Sequence, residues 1–198
     1  MPVKDGREYR YIQITNFSTS DEEESYIVEG YATTFDDPYE MYDGMFESID
    51  RNALDGADMT DVIFQYDHQG AVLARQRNNT LSVFPDEHGL HVRADLKGSR
   101  AGRELHEAIK NGLVDRMSWG FTVAEDGWSY DRDTRTSHIT RISKVFDVSA
   151  VSIPANDGTE IKARSYFDGV IEAEAQELRK CEQQTDERDR LSLVARIL

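Results

Sequence analysis

Apolar and polar residues alternate along much of this chain, and the alternation predicts strands. In GLHVRADL, Leu90, Val92, Ala94 and Leu96 fall on one face and His91, Arg93 and Asp95 on the other, the period-2 signature of a half-buried strand. DVIFQYDH and TLSVF read the same way, with PDEHG (Pro85–Gly89) as the turn after the second. Residues 8–15 and 25–35 are rich in β-branched and aromatic residues and predict two more strands, joined through the acidic loop DEEES. Further on, RMSWGFTV and WSYDRDTRTSHITRI supply strands with a polar hairpin between them, and KVFDVSAVSI is a strand stopped at PAND. DDPYEMYDGMF is rich in turn formers and reads as irregular, and SIDRNALDGA predicts a short helix capped by Ser48.

The clearest helix is SRAGRELHEAIKNG, with Ser99 as N-cap, Gly112 just past the end, and Leu105, Ala108 and Ile109 as its apolar stripe. Beyond Val170 the pattern is charged and helical, with sparse apolar positions. About seven to nine strands against few helices predict an α+β fold: a mostly antiparallel β-barrel or sheet core with a few flanking helices. Residues 1–165 would form one domain, and 166–198 a charged helical C-terminal tail.

Composition narrows the function classes. The 198 residues are 38% hydrophobic and 31% charged, with a formal net charge of −15. That balance fits a globular domain with a sizeable core. It disfavours nucleic acid or an anionic membrane as partner, because no basic stripe faces the phosphates. Cys181 is the single cysteine, so an intramolecular disulfide framework and CxxC metal sites are excluded and a reducing, cytoplasmic setting is expected. Neither an apolar leader nor a run near the ~20 residues of a membrane span is present in the sequence. No HExxH, Cys/His cluster or glycine-rich phosphate loop supports a metal or nucleotide, and no cofactor is expected.

Three residues stand out chemically. His68 follows Val62, Phe64 and Tyr66 on alternate positions, so an apolar strand face is expected to end in an imidazole. The plain reading is a core histidine satisfied by one hydrogen bond. In MSWGFTV the large Met117, Trp119, Phe121 and Val123 share one face, while Ser118, Gly120 and Thr122 leave the other face bare. A half-buried strand covered by a neighbour explains that pattern; so does a strand whose bare face brings a substrate to a serine hydroxyl. A nucleophilic serine needs a base within about 3 Å, and His68 is the histidine placed to supply one. Asp147 lies inside the apolar KVFDVSAVSI, where an unpaired carboxylate is costly to bury. It either faces solvent on an edge strand or orients a partner, as the acid of a Ser/His/acid site does. His138 is the runner-up for that third place; His88, His91 and His106 are expected to be solvated.

Four blocks in order resemble the prohead maturation proteases of tailed bacteriophages, the HK97-type serine peptidases: EGYATTFDDPYEMYDGMFESIDRNAL, FQYDHQGAVLAR, LKGSRAGRELHEAIKNGLVDRMSWGFTV and ITRISKVFDVSAVSIPAND. They span roughly residues 26–160. The resemblance implies Ser118 as nucleophile, His68 as general base, and Asp147 where the family usually carries glutamate. It also implies a fold like that of the herpesvirus assemblins, whose third site residue is a histidine, which keeps His138 in view. By the same resemblance, the chain is a serine endopeptidase that cleaves capsid or scaffold precursor, and itself, during prohead maturation. Its setting would be the assembling procapsid in the host cytoplasm, and its partners the major capsid protein or scaffold precursor, with self-association in the procapsid. The competing class is a non-enzymatic scaffold or head-assembly protein derived from a protease. A small-ester hydrolase is disfavoured, since no GxSxG elbow is present.

Overall fold

The computed structural model describes residues 7–13, 18–19, 25–42 and 44–152, together with Gln176, Arg179 and Lys180. Thirteen strands and one α-helix follow in order: β1 (Glu8–Gln13), β2 (Ser18–Thr19), β3 (Ile27–Thr34), β4 (Tyr39–Tyr42), β5 (Met45–Ile49), β6 (Ile63–Tyr66), β7 (Gln69–Arg75), β8 (Leu81–Pro85), β9 (Gly89–Asp95), α1 (Arg100–Lys110), β10 (Arg116–Val123), β11 (Trp128–Asp131), β12 (Thr136–Ile139) and β13 (Ile142–Val151). They form three sheets, ordered β1-β10-β13-β6-β7, β11-β12-β5-β4 and β2-β3-β9-β8. All pairings are antiparallel except β13–β6 and β12–β5. The mostly antiparallel expectation therefore holds, but the sheets are open. No closed barrel forms among the described residues, and α1 is the one α-helix of this part rather than one of several.

Burial follows the alternation where the sequence is clean. Leu90, Val92, Ala94 and Leu96 are all fully buried, as are Trp119 and Phe121, whose rings stack 4.1 Å apart. The Ser99 hydroxyl caps α1 by accepting from Gly102 N–H at 2.9 Å, and Gly112 takes a positive φ of 69° just beyond the helix, as its missing Cβ allows.

Two expected elements differ. The stretch read as irregular contains the β4–β5 hairpin, because Glu47, which breaks the apolar period of β5, is buried against Arg10 and Tyr39. The helix expected at Ser48 does not form. Ser48 lies within β5, and the chain after it makes successive turns, with Ala53, Asp55 and Ala57 N–H each donating to the carbonyl three residues back. The Asp50 carboxylate accepts from Asn52 N–H at 2.8 Å, a side-chain turn that competes with helix.

His106, expected to be solvated, is buried on the core side of α1, its ring edge-on to Tyr26 at 5.3 Å. Neither ring nitrogen has a hydrogen-bond partner among the described residues, and burial pushes its pKa below the usual 6.5. The unfolded chain therefore binds more protons than the fold below pH 6.5, and stability falls as pH drops through that value until the depressed folded pKa is passed. Melting temperature is expected to decline more steeply between neutral pH and pH 5 in the wild type than in His106→Leu; parallel declines would contradict this.

The chain divides into two units, Met1–Thr159 and Glu160–Leu198, and every element above belongs to the first. Of the second, Gln176, Arg179 and Lys180 are helical and exposed. The expected boundary after residue 165 and the rest of the tail lie outside the described residues. No helix among the described residues is long and apolar enough to cross a membrane.

Candidate active site

Two cross-strand rows build the site on one face of the five-stranded sheet. Ser118, Ser149 and Gln65 lie side by side across β10, β13 and β6, and Tyr9, Gly120, Asp147 and Ile63 form the next row across β1, β10, β13 and β6. Residues directly opposite share a face, so the small-residue side of β10 meets the polar side of β13. A register shift opposite Gly120 and Phe121 explains why Asp147 points there. Gly120 pairs with Asp147 while Phe121 pairs with Val145, leaving Phe146 as an extra residue. Such a bulge reverses the phase of a strand. Val145 joins the core beside Phe121, and Asp147, two residues on, faces the opposite side.

His68 reaches this face from a turn. Tyr66 pairs with Gln69, which leaves Asp67 and His68 as a two-residue hairpin loop with φ of 49° and 53°. Both are left-handed, the requirement of a type I′ turn. The expectation that His68 continues the apolar face of β6 is thereby corrected: Val62 and Phe64 are fully buried, Tyr66 is exposed, and His68 begins the return. No Asn-Gly or Asp-Gly pair marks this turn, and β7 was hidden with it.

From the turn, His68 Nε2 lies 2.6 Å from Ser118 Oγ, and Nδ1 contacts Asp147 Oδ1. Facing a carboxylate, Nδ1 carries the proton and donates it, so Nε2 is left to accept from the Ser118 hydroxyl. Ser118 and Asp147 are both buried, and Ser149 Oγ lies 3.4 Å from Asp147 Oδ1 as a further donor. Tyr9 packs its ring edge-on against His68 at 4.5 Å. Burial and the nearby Asp147 charge push the Tyr9 hydroxyl above its usual pKa, so it stays protonated. The structure thus brings together Ser118, His68 and Asp147. It sets His138 in another sheet, on β12 between Ser129 and Ser48.

The profile of the family described as caudovirus prohead serine protease matches residues 14–170. The chain is also 30% identical over 145 residues to the prohead protease of Enterobacteria phage HK97, an alignment covering 73% of this chain and 62% of that relative. This chain belongs to the caudovirus prohead serine protease family. No solved structure matches it. The four blocks that carried the resemblance in the sequence all fall within the matched span. In this member an aspartate makes the contact to the imidazole, and it reaches because the His68 turn is tied to β13 by Asp67 N–H donating to Ala150 O at 3.0 Å.

Sequence reasoning missed Tyr9 and Ser149 as neighbours of His68 and Asp147. Ser149 was accessible, since it stands two residues from Asp147 and so shares its face; Tyr9 gave no local signal, because only the β1–β10 pairing brings it to His68. β10 is flanked by β1 and β13, so neither of its edges is free to take a substrate as an added strand. Next to the His68 turn, a groove of about 620 Å³ runs between the β6–β7 hairpin and α1, lined by Tyr66, Gly70, Leu73, Leu105 and Ala108 among others.

Gly120 constrains the packing around Asp147 and Tyr9. A Cβ there would lie 2.6 Å from Asp147 Oδ2 and 2.7 Å from Tyr9 Cε1, closer than such atoms approach. Gly120→Ala must displace one of these side chains, both of which touch His68. The expected result is roughly a 10²-fold loss of peptidase activity in a folded protein, read by progress curves alongside circular dichroism; full activity would show that the contact is not limiting.

Proposed function

We propose that this chain is a serine endopeptidase that cleaves capsid protein or scaffold precursor, and itself, inside the assembling procapsid in the host cytoplasm. The observation that carries this reading is the 2.6 Å contact between Ser118 Oγ and His68 Nε2 in a member of a serine protease family. In the mechanism, His68 Nε2 takes the Ser118 proton as Oγ bonds to the substrate carbonyl carbon, and Asp147 stabilises the imidazolium through Nδ1–H. The imidazolium then protonates the leaving amine as the C–N bond breaks, giving an acyl-enzyme. Water, deprotonated by His68 Nε2, attacks the acyl carbon, and the imidazolium returns that proton to Ser118 Oγ as the C–O bond to the serine breaks. Enclosure of the carboxylate and imidazole strengthens their interaction relative to water.

The proposal includes kinship of fold with the herpesvirus assemblins and self-association in the procapsid. Support for the kinship is that the nucleophile, base and acid come from β10, a hairpin turn and β13 rather than from one loop. The activity is tested with a serine-directed fluorophosphonate. One covalent adduct on Ser118, abolished in Ser118→Ala and His68→Ala, is expected. An adduct that persists in Ser118→Ala would move the nucleophile elsewhere.

Asp147→Asn should lower turnover by about 10⁴-fold, because an amide facing Nδ1 favours the tautomer that leaves Nε2 protonated. A loss below tenfold in steady-state kinetics would mean that the aspartate is a spectator.

A further inference from the structure

The loop that presents His68 is two left-handed non-glycine residues in succession, a conformation that persists only where its surroundings hold it. The holding contacts come from the residue beside the histidine. Asp67 Oδ1 accepts from Ser152 N–H at 2.9 Å, and Ser152 Oγ donates to the same carboxylate at 3.0 Å from Oδ2 and 3.3 Å from Oδ1. With Asp67 N–H donating to Ala150 O at 3.0 Å, the turn is fastened at main chain and side chain to the end of β13. That strand also carries Asp147. One clamp therefore fixes the imidazole and its carboxylate in a common frame, over Ser118 on the neighbouring strand.

We infer that Asp67 is the positioning residue for His68: its carboxylate locks the hairpin turn to Ser152 and thereby sets the imidazole between Ser118 and Asp147. Asp67 touches neither Ser118 nor a substrate atom in this role; it acts through the turn. The inference rests on the reading of His68 as general base.

The test measures the rate of Ser118 modification by a fluorophosphonate on the full chain across pH 6 to 9. Wild type is compared with Asp67→Ala, Asp67→Gly, Asp67→Asn, Ser118→Ala and His68→Ala. Asp67→Gly is the deciding variant. Glycine relieves the left-handed strain, so its melting temperature is not expected to fall, whereas the clamp is gone. Its labelling rate, like that of Asp67→Ala, is expected to drop roughly 10- to 100-fold. Asp67→Asn keeps an oxygen that accepts from Ser152 N–H, and should recover most of the rate. The low-field proton resonance of the His68–Asp147 contact should follow the same order, sharp in wild type and Asp67→Asn and broadened in Asp67→Gly. Wild-type labelling in Asp67→Gly, with Ser118→Ala and His68→Ala inert, would overturn the clamp while leaving the peptidase reading in place. Labelling that survives in His68→Ala would overturn both.

Discussion

Ser118→Ala and His68→Ala are each expected to lower turnover by roughly 10⁴-fold or more while leaving the fold intact, and combining them should cost little further. The reason is geometric. Oγ is a weak nucleophile until a base takes its proton, and among the described residues the base in contact with it is His68, at 2.6 Å. With either partner gone the other has no reaction to join, so their effects overlap instead of adding. Retention of structure is expected because both truncations are small relative to the core: Ser118 contributes a hydroxyl, and His68 stands on a turn outside the apolar cluster. Matched circular dichroism with turnover measured on a cleavable precursor checks both halves. Full multiplication of the two losses would mean that serine and histidine act independently.

The largest effect on stability is expected from Arg10. This guanidinium is 2% exposed, and its partner Glu47 is fully buried. Arg10 bonds Glu47 in bidentate fashion, with Nη2 to Oε2 at 2.8 Å and Nε to Oε1, and bonds Glu8 at 2.7 Å. Tyr39 donates its hydroxyl to the same Glu47 carboxylate. Burial opposes the Arg10 charge, and Glu47 more than offsets it, holding the guanidinium well above its usual pKa. Burial and the Glu47 charge push Tyr39 well above its own. Removing one member leaves a buried ion unpaired, so Arg10→Ala should destabilise by about 3–5 kcal/mol, a melting shift of roughly 6–20 °C for a domain of this size. Replacing both charges with apolar residues of similar volume, as in Arg10→Met with Glu47→Leu, should recover most of it. The loss should also reach the site, since Arg10 adjoins Tyr9 on β1 and Tyr9 packs on His68. A single-mutant loss below 1 kcal/mol by urea titration would contradict this account.

Much of the fold was legible where apolar residues keep a single period. β9 and α1 follow it closely, and β10 shows its large and small faces in the sequence. Legibility ends where tertiary contacts change the meaning of a residue. The β4–β5 hairpin was not legible because Glu47, on the buried side of β5, is matched by Arg10, 37 residues away. Asp147 looked like a charge stranded in an apolar run because the extra residue at Phe146 is visible only in the pairing of β10 with β13. His68 and Ser118 were named from their strands and from the family blocks, but the turn that carries His68 was not. Asp-His is an uncommon pair for such a loop, and what holds it is Ser152, far along the chain.

The most direct measurement of the central claim is co-expression with the major head protein of the same virus, comparing wild type with Ser118→Ala by intact mass. The account predicts a shortened head protein and a shortened protease with wild type, and full-length species of both with Ser118→Ala. Full-length species in both, around normally assembled shells, would contradict it and identify the chain as a scaffold that keeps a protease fold.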